Sequence, residues 1–128
     1  MIRVMHMLHP LDATVGEVAT TVRLGTRWAD SRGDELILCV CDAHCLAPET
    51  CYDPAAGVPC ANCERVGRGI VRNIWVGRFK DVPALEIEHE HEASSRCYSG
   101  LKASMERAYG NKFDEFKTVT VVTYQRTA

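Results

Sequence analysis

No stretch of this chain approaches the roughly 20 consecutive apolar residues that a membrane-spanning helix needs, which excludes a helical span within it. Charge of one sign is missing too. Fifteen Lys and Arg stand against seventeen Asp and Glu, a formal net charge of −2. A protein that coats DNA by charge alone needs a basic excess, so that class is set aside, while a local basic pocket is not. There is no internal repeat and no low-complexity tract. The first ten residues carry two histidines, His6 and His9, and no small-residue cleavage site. They do not read as a signal peptide, and the expectation is a cytoplasmic protein. What is present is 128 residues, 46% apolar and 25% charged, a composition that suits one globular domain over residues 1–128.

The chain reads as about five strands and one or two helices. Residues 2 to 8 form a first strand that His9-Pro10 breaks. Leu11 to Val15 is a turn or a single helical turn, and Gly16 opens an extended run in which Thr20, Thr21 and Val22 are β-branched. Ser31-Arg32-Gly33-Asp34 makes a turn before Glu35 to Cys41, apolar on both faces and therefore a buried central strand. Ile70 to Phe79 is a long strand whose simple alternation puts Val71, Asn73, Trp75 and Gly77 on one face. Residues 84 to 92 are a short helix or an extended segment. Ser94 or Ser95 is the expected N-cap of a helix that runs, after an irregular first turn, to Tyr109, with Gly110 past its end. Lys117 to Tyr124 closes the set as a β-branched strand. Long strands with few helices predict an α+β domain, a small mixed sheet or open barrel carrying a helix.

Three regions hold residues suited to chemistry. In Arg23-Leu24-Gly25-Thr26-Arg27-Trp28, two guanidinium forks precede an indole, so Arg23, Arg27 and Trp28 are candidate ligand residues that would grip phosphate or carboxylate and stack on a ring. An ordinary hairpin with solvated arginines is the competing reading. The second region is Glu86-Ile87-Glu88-His89-Glu90-His91-Glu92, a metal, acid–base or plainly solvated run, with Arg96 and Tyr98 close behind as further pocket candidates.

The third is a loop from 42 to 66. Six of the seven cysteines fall between Cys39 and Cys63, and only Cys97 stands apart. The loop holds three prolines and no periodicity, and a structureless loop of that length is unusual unless something ties it together. Cys60 and Cys63 form a CxxC pair, with Cys45 and Cys51 upstream. Four thiolates make a closed tetrahedral zinc site, structural rather than catalytic, in which His44 or Cys41 is a possible substitute. A redox pair and simple burial of small apolar thiols are the alternatives; burial suits Cys39 best.

The order of these parts resembles the ASCH domain of the PUA-like superfamily. Its signature is similar to G-x-K-x-x-E-x-R, and Gly16 and Arg23 match the two ends at the right spacing, with Val18 in the lysine position and Thr21 in the glutamate position. Gly33-Asp34 before an apolar strand, Pro83 to His89, Ala108-Tyr109-Gly110 and Thr118 to Val122 fall in family order, and the second half also resembles ASCH-like proteins of phages and prophages. The resemblance implies a small PUA-like mixed β-barrel with flanking helices, a cleft lined by the signature, and binding of RNA, a nucleotide or a modified base. It also implies an alternative: hydrolysis of an acylated cytidine or of RNA, in which Thr21 and Glu88 would be the catalytic pair. Val18 carries no ammonium, and that departure tilts the expectation from catalysis to binding. A protein-interaction domain built around the zinc insert is the third reading.

Overall fold

The computed structural model describes residues 1–7, 13–41, 63–90 and 93–128, and of Cys41 and Cys63 the backbone only. Five strands, β1 (Ile2–Met7), β2 (Val18–Leu24), β3 (Glu35–Cys41), β4 (Cys63–Arg78) and β5 (Thr118–Arg126), form one sheet in the order β1-β3-β4-β5-β2. β1 and β3 are parallel, while β3–β4, β4–β5 and β2–β5 are antiparallel. The expected mixed sheet of an α+β domain is therefore what forms, with β1 and β2 as its outer strands. The helices are few: α1 (Ala84–Ile87), α2 (Tyr98–Tyr109) and three short 3-10 turns. No helix among the described residues is long and apolar enough to cross a membrane.

The apolar side chains sort onto the two faces of the sheet. One face carries Met5, Met7, Ala19, Leu36, Leu38, Val71, Val122 and Tyr124, joined by Trp28 from the turn after β2. The other carries Val22, Val119 and Val121, on which Ile87 of α1, Leu101 and Met105 of α2, Phe79, Val82 and Phe113 pack. Leu101 and Met105 stand four residues apart, the spacing that puts two side chains on one helix face. A third, smaller cluster of Val4, Ile37 and Cys39 buries the Cys39 thiol, as the apolar reading of Cys39 expects.

Three local expectations are corrected. Simple alternation fails along β4, because Val71 faces Tyr124 and Asn73 faces the next residue of β5, Thr123, which leaves Arg72 as the extra residue of a bulge. The bulge reverses the faces. Val71 joins Ile74 on the first core, and Trp75 goes to the helical side. Arg72 turns outward and donates through Nε and Nη2 to Gln125 Oε1, at 3.1 and 2.7 Å. Second, β4 begins at Cys63, opposite Cys41, so residues 63–66 belong to the sheet and not to the insert. Third, the N-cap of α2 is Cys97 rather than Ser94 or Ser95, which sit in the preceding 3-10 turn. Ser95 is buried there with its Oγ 2.6 Å from Ser104 Oγ, a tertiary partner that outcompetes capping. Gly110 ends α2 as expected, at φ +58.

Candidate functional site

The Gly16–Arg23 frame becomes a turn and an outer strand. Gly16 sits at φ +90, a conformation glycine adopts at little cost, and its N–H donates to Arg126 O at 2.8 Å. From there β2 alternates. Ala19, Thr21 and Arg23 lie opposite Tyr124, Val122 and Thr120 on the first face, and Val18, Thr20 and Val22 point to the other. Thr21 is fully enclosed.

Arg23 is the unusual member. Its Nε is buried and has no hydrogen-bond partner among the described residues, and the same is true of the Tyr124 hydroxyl on the same face. The two are electrostatically linked. Burial pushes the Tyr124 phenol up to about 12; the positive charge of Arg23 pulls it back, Glu90 pushes it further and Arg126 opposes that. At any physiological pH Tyr124 is therefore a neutral O–H. The charge of Arg23 also acts on His6 of β1. Burial first, then Arg23 and then Arg27, lower His6 from 6.5 to about 4, so the imidazole is neutral and the local positive charge belongs to the arginines.

Trp28 does not offer its face to solvent. It is buried in the first core, and Arg3 Cζ lies 5.5 Å from the ring centroid. Arg3 is held there by Asp34 Oδ2 at 2.8 Å, Asp30 Oδ1 at 2.6 Å and the Arg27 carbonyl at 3.1 Å. This corrects the stacking role expected of Trp28: its apolar surface is used inside the protein. Arg27 itself is exposed.

The acidic-histidine run lies along β2. Thr20 N–H donates to His89 O at 2.8 Å, and Thr20 pairs with Glu90 as an isolated parallel bridge. Glu90 is buried at 3% exposure, whereas the Glu88 side chain is half exposed with His89 Nε2 3.6 Å away. Arg96 reaches back and donates through Nε to Glu90 O at 2.9 Å. Around them a cleft of about 180 Å3 opens, walled by Glu17, Val18, Glu88, His89 and Arg96 over a floor of Ala13 and Ala19. Two of the residues selected from sequence, Glu88 and Arg96, thus share one cleft with the signature position Val18. Arg23 and Thr21 lie further along β2, on the face that Ala19 shares, and do not line the cleft.

Tyr98 belongs elsewhere. Its ring lies 5.2 Å from that of Phe79, and its hydroxyl donates to Glu115 Oε2 at 2.8 Å, while Lys102 Nζ binds Glu115 Oε1 at 2.5 Å. The Lys102 bond first, and the Tyr98 bond second, draw Glu115 below the usual carboxylate range. A broad hollow of about 610 Å3 adjoins this corner, lined by Lys102, Glu106, Phe113 and Phe116 among others, but its central carboxylate already has two partners.

His6, Tyr124 and Arg3 escaped the sequence reading, and Glu90 was named there only as one member of the acidic-histidine run. A lone histidine inside Val4-Met5-His6-Met7 is the signal that was available for His6, and the alternation of β5 for Tyr124. Nothing local separates Glu90 from Glu88. Of the proposed zinc ligands, His44, Cys45, Cys51 and Cys60 lie outside the described residues. Cys41 and Cys63 stand directly opposite one another in the β3–β4 ladder. Among the described residues no group of three or more His, Cys, Asp or Glu is placed to hold a metal.

With this geometry in hand, comparison with known proteins gives one structural likeness. The chain is similar to the crystal structure of an ASCH domain from Lactobacillus crispatus JV V101, with a TM-score of 0.55 and 9% identity over 88% of this chain. The match spans 65% of that protein's length. No family model and no curated protein matches. At 9% identity the likeness speaks for the fold alone, and the fold is of the ASCH kind: a five-stranded mixed sheet with a small helical layer.

Proposed function

We propose that this protein is an ASCH-like binding module that takes RNA, a nucleotide or a modified base in an arginine-lined site along β2. The observation that carries the reading is Arg23. A guanidinium whose Nε is buried without a partner is destabilising by about 1–3 kcal/mol unless something supplies an oxygen. Tyr124 adds a second enclosed donor, its O–H, and Arg27 adds positive charge at its exposed end. Phosphate oxygens satisfy such donors.

A panel of short RNAs and nucleotides, read by fluorescence anisotropy at two salt concentrations, tests it. Affinity is expected to fall with salt and to drop about tenfold or more in Arg23→Ala, with a smaller loss in Arg27→Ala. Absence of binding at low salt across the panel sinks the proposal.

One observation keeps a hydrolase reading alongside. A carboxylate enclosed beside β2 suits acid–base work, and that carboxylate is Glu90, not Glu88. If acylated cytidines or RNA are turned over, Glu90→Gln abolishes the activity and Glu88→Gln spares most of it. The reverse pattern returns the role to Glu88.

The insert is proposed to carry structural zinc on Cys63, Cys60 and two of Cys45, Cys51, Cys41 and His44. The facing backbone positions of Cys41 and Cys63 at its root favour Cys41 as a ligand. Elemental analysis under reducing conditions is expected to return one equivalent, and well below half an equivalent removes the site.

A further inference from the structure

The cleft at the start of β2 has a composition that the binding reading above does not yet use. Its floor is two alanines that belong to the main core, nearly enclosed and therefore fixed in place. Its hollow, about 180 Å3, has room for one planar ring. Its lining mixes unlike chemistry. Glu17 and Glu88 are carboxylates that only accept hydrogen bonds, and Arg96 is a planar fork that only donates. The Arg96 fork is not a loose surface side chain. Its Nε donates to Glu90 O, and Glu90 is itself stitched to β2 through the Thr20 bridge and the Thr20 N–H to His89 O bond. Backbone contacts thereby set the attitude of the guanidinium. Phosphate is a poor occupant here, because two carboxylates outnumber the single guanidinium.

We propose that this cleft reads the lactam edge of a nucleobase, an N–H beside a carbonyl as in guanine and uracil, with Arg96 donating to the carbonyl oxygen and Glu88 accepting the N–H. The inference rests on the nucleotide-binding reading and adds a specificity to it. Arg23 and Arg27 serve the phosphate, and Arg96 with Glu88 serves the base. Adenine lacks the carbonyl, and cytosine presents a bare ring nitrogen where the N–H is needed, so each would leave a group in the cleft unmatched.

Calorimetric titration with GMP, UMP, AMP, CMP and ribose 5-phosphate tests the assignment. GMP and UMP are expected to bind about tenfold tighter than AMP, CMP and ribose 5-phosphate. Arg96→Ala is expected to reduce all five to the level of ribose 5-phosphate, with unchanged circular dichroism. Because Val18 lines the same cleft, Val18→Lys in the Arg96→Ala background restores a donor there and recovers most of the preference for GMP and UMP. Equal binding of the four nucleotides, a preference for AMP or CMP, or a ranking that survives Arg96→Ala overturns the inference. If ribose 5-phosphate binds as well as the nucleotides and only Arg23→Ala weakens it, the base cleft falls while the binding module stands. If nothing binds and RNA does not either, both fall.

Discussion

Two arginines, one on each outer strand of the sheet, have opposite fates. Arg3 of β1 meets two carboxylates, one carbonyl and the face of Trp28. Arg23 of β2 has its Nε buried on the sheet face with no partner among the described residues. The first corner is complete in itself: every donor direction that matters is used, and the indole beneath is sealed into the core. The second is incomplete, and among the described residues the Tyr124 hydroxyl shares that lack of a partner. A buried donor without an acceptor is tolerated in a folded protein chiefly where something else arrives to satisfy it. The contrast teaches that Trp28, the aromatic half of the cluster which looked most like a ligand site, is structural, while the quieter strand residue Arg23 carries the unmet chemistry.

The largest expected effect breaks the complete corner. Trp28→Ala removes a buried indole and should destabilise the protein by about 3–5 kcal/mol in urea unfolding. A loss below about 1 kcal/mol would mean that the ring is not in the core.

The next concerns pH. His6 titrates near 4 when folded and near 6.5 when unfolded, so the unfolded chain binds the extra proton between those values. Stability from His6 is full above 6.5 and declines as pH falls from 6.5 towards 4, by about 3 kcal/mol at most. His6→Gln should flatten that part of the stability profile. Arg23→Ala should move the His6 resonance midpoint upward in an NMR titration, and an unmoved midpoint separates Arg23 from His6.

A smaller pair of effects tests the comparison directly. Arg3→Ala should lose about 2 kcal/mol, because Asp34 is left part-buried without its partner. Arg23→Met, which keeps the length and removes the unpaired donors, should be neutral or stabilising. Similar losses at both positions would erase the distinction between the two corners. Smallest of all, Tyr124→Phe should raise stability by about 1 kcal/mol in the free protein, since it deletes an O–H that bonds to nothing described.

Much of the fold was legible along the chain. Strand positions followed from β-branched runs, turns from Gly16 and Gly33, and the end of α2 from Gly110, because these are local preferences of backbone and side chain. The bulge at Arg72 was not, since it is set by how β4 fits β5 and not by any residue type in β4. The site was legible by half. Arg23, Glu88 and Arg96 were named from residue type, and the last two do share a cleft. Tyr124 was not, and Glu90 was not singled out from its run, because exposure distinguishes Glu90 from Glu88, and exposure is a property of what packs alongside.

By itself, then, the sequence determined an α+β chain with five strands, a helix after an irregular entry, and a glycine turn at Gly16 leading into β2. Those features depend on contacts within a few residues. Only the tertiary structure decided that Trp28 goes inward beneath Arg3, that Arg23 Nε is buried with no partner among the described residues, and that Arg96 bonds back to Glu90 O in the cleft it shares with Glu88. Each of those outcomes is a competition between groups from distant parts of the chain for the same buried hydrogen bonds, and no local pattern states who wins it.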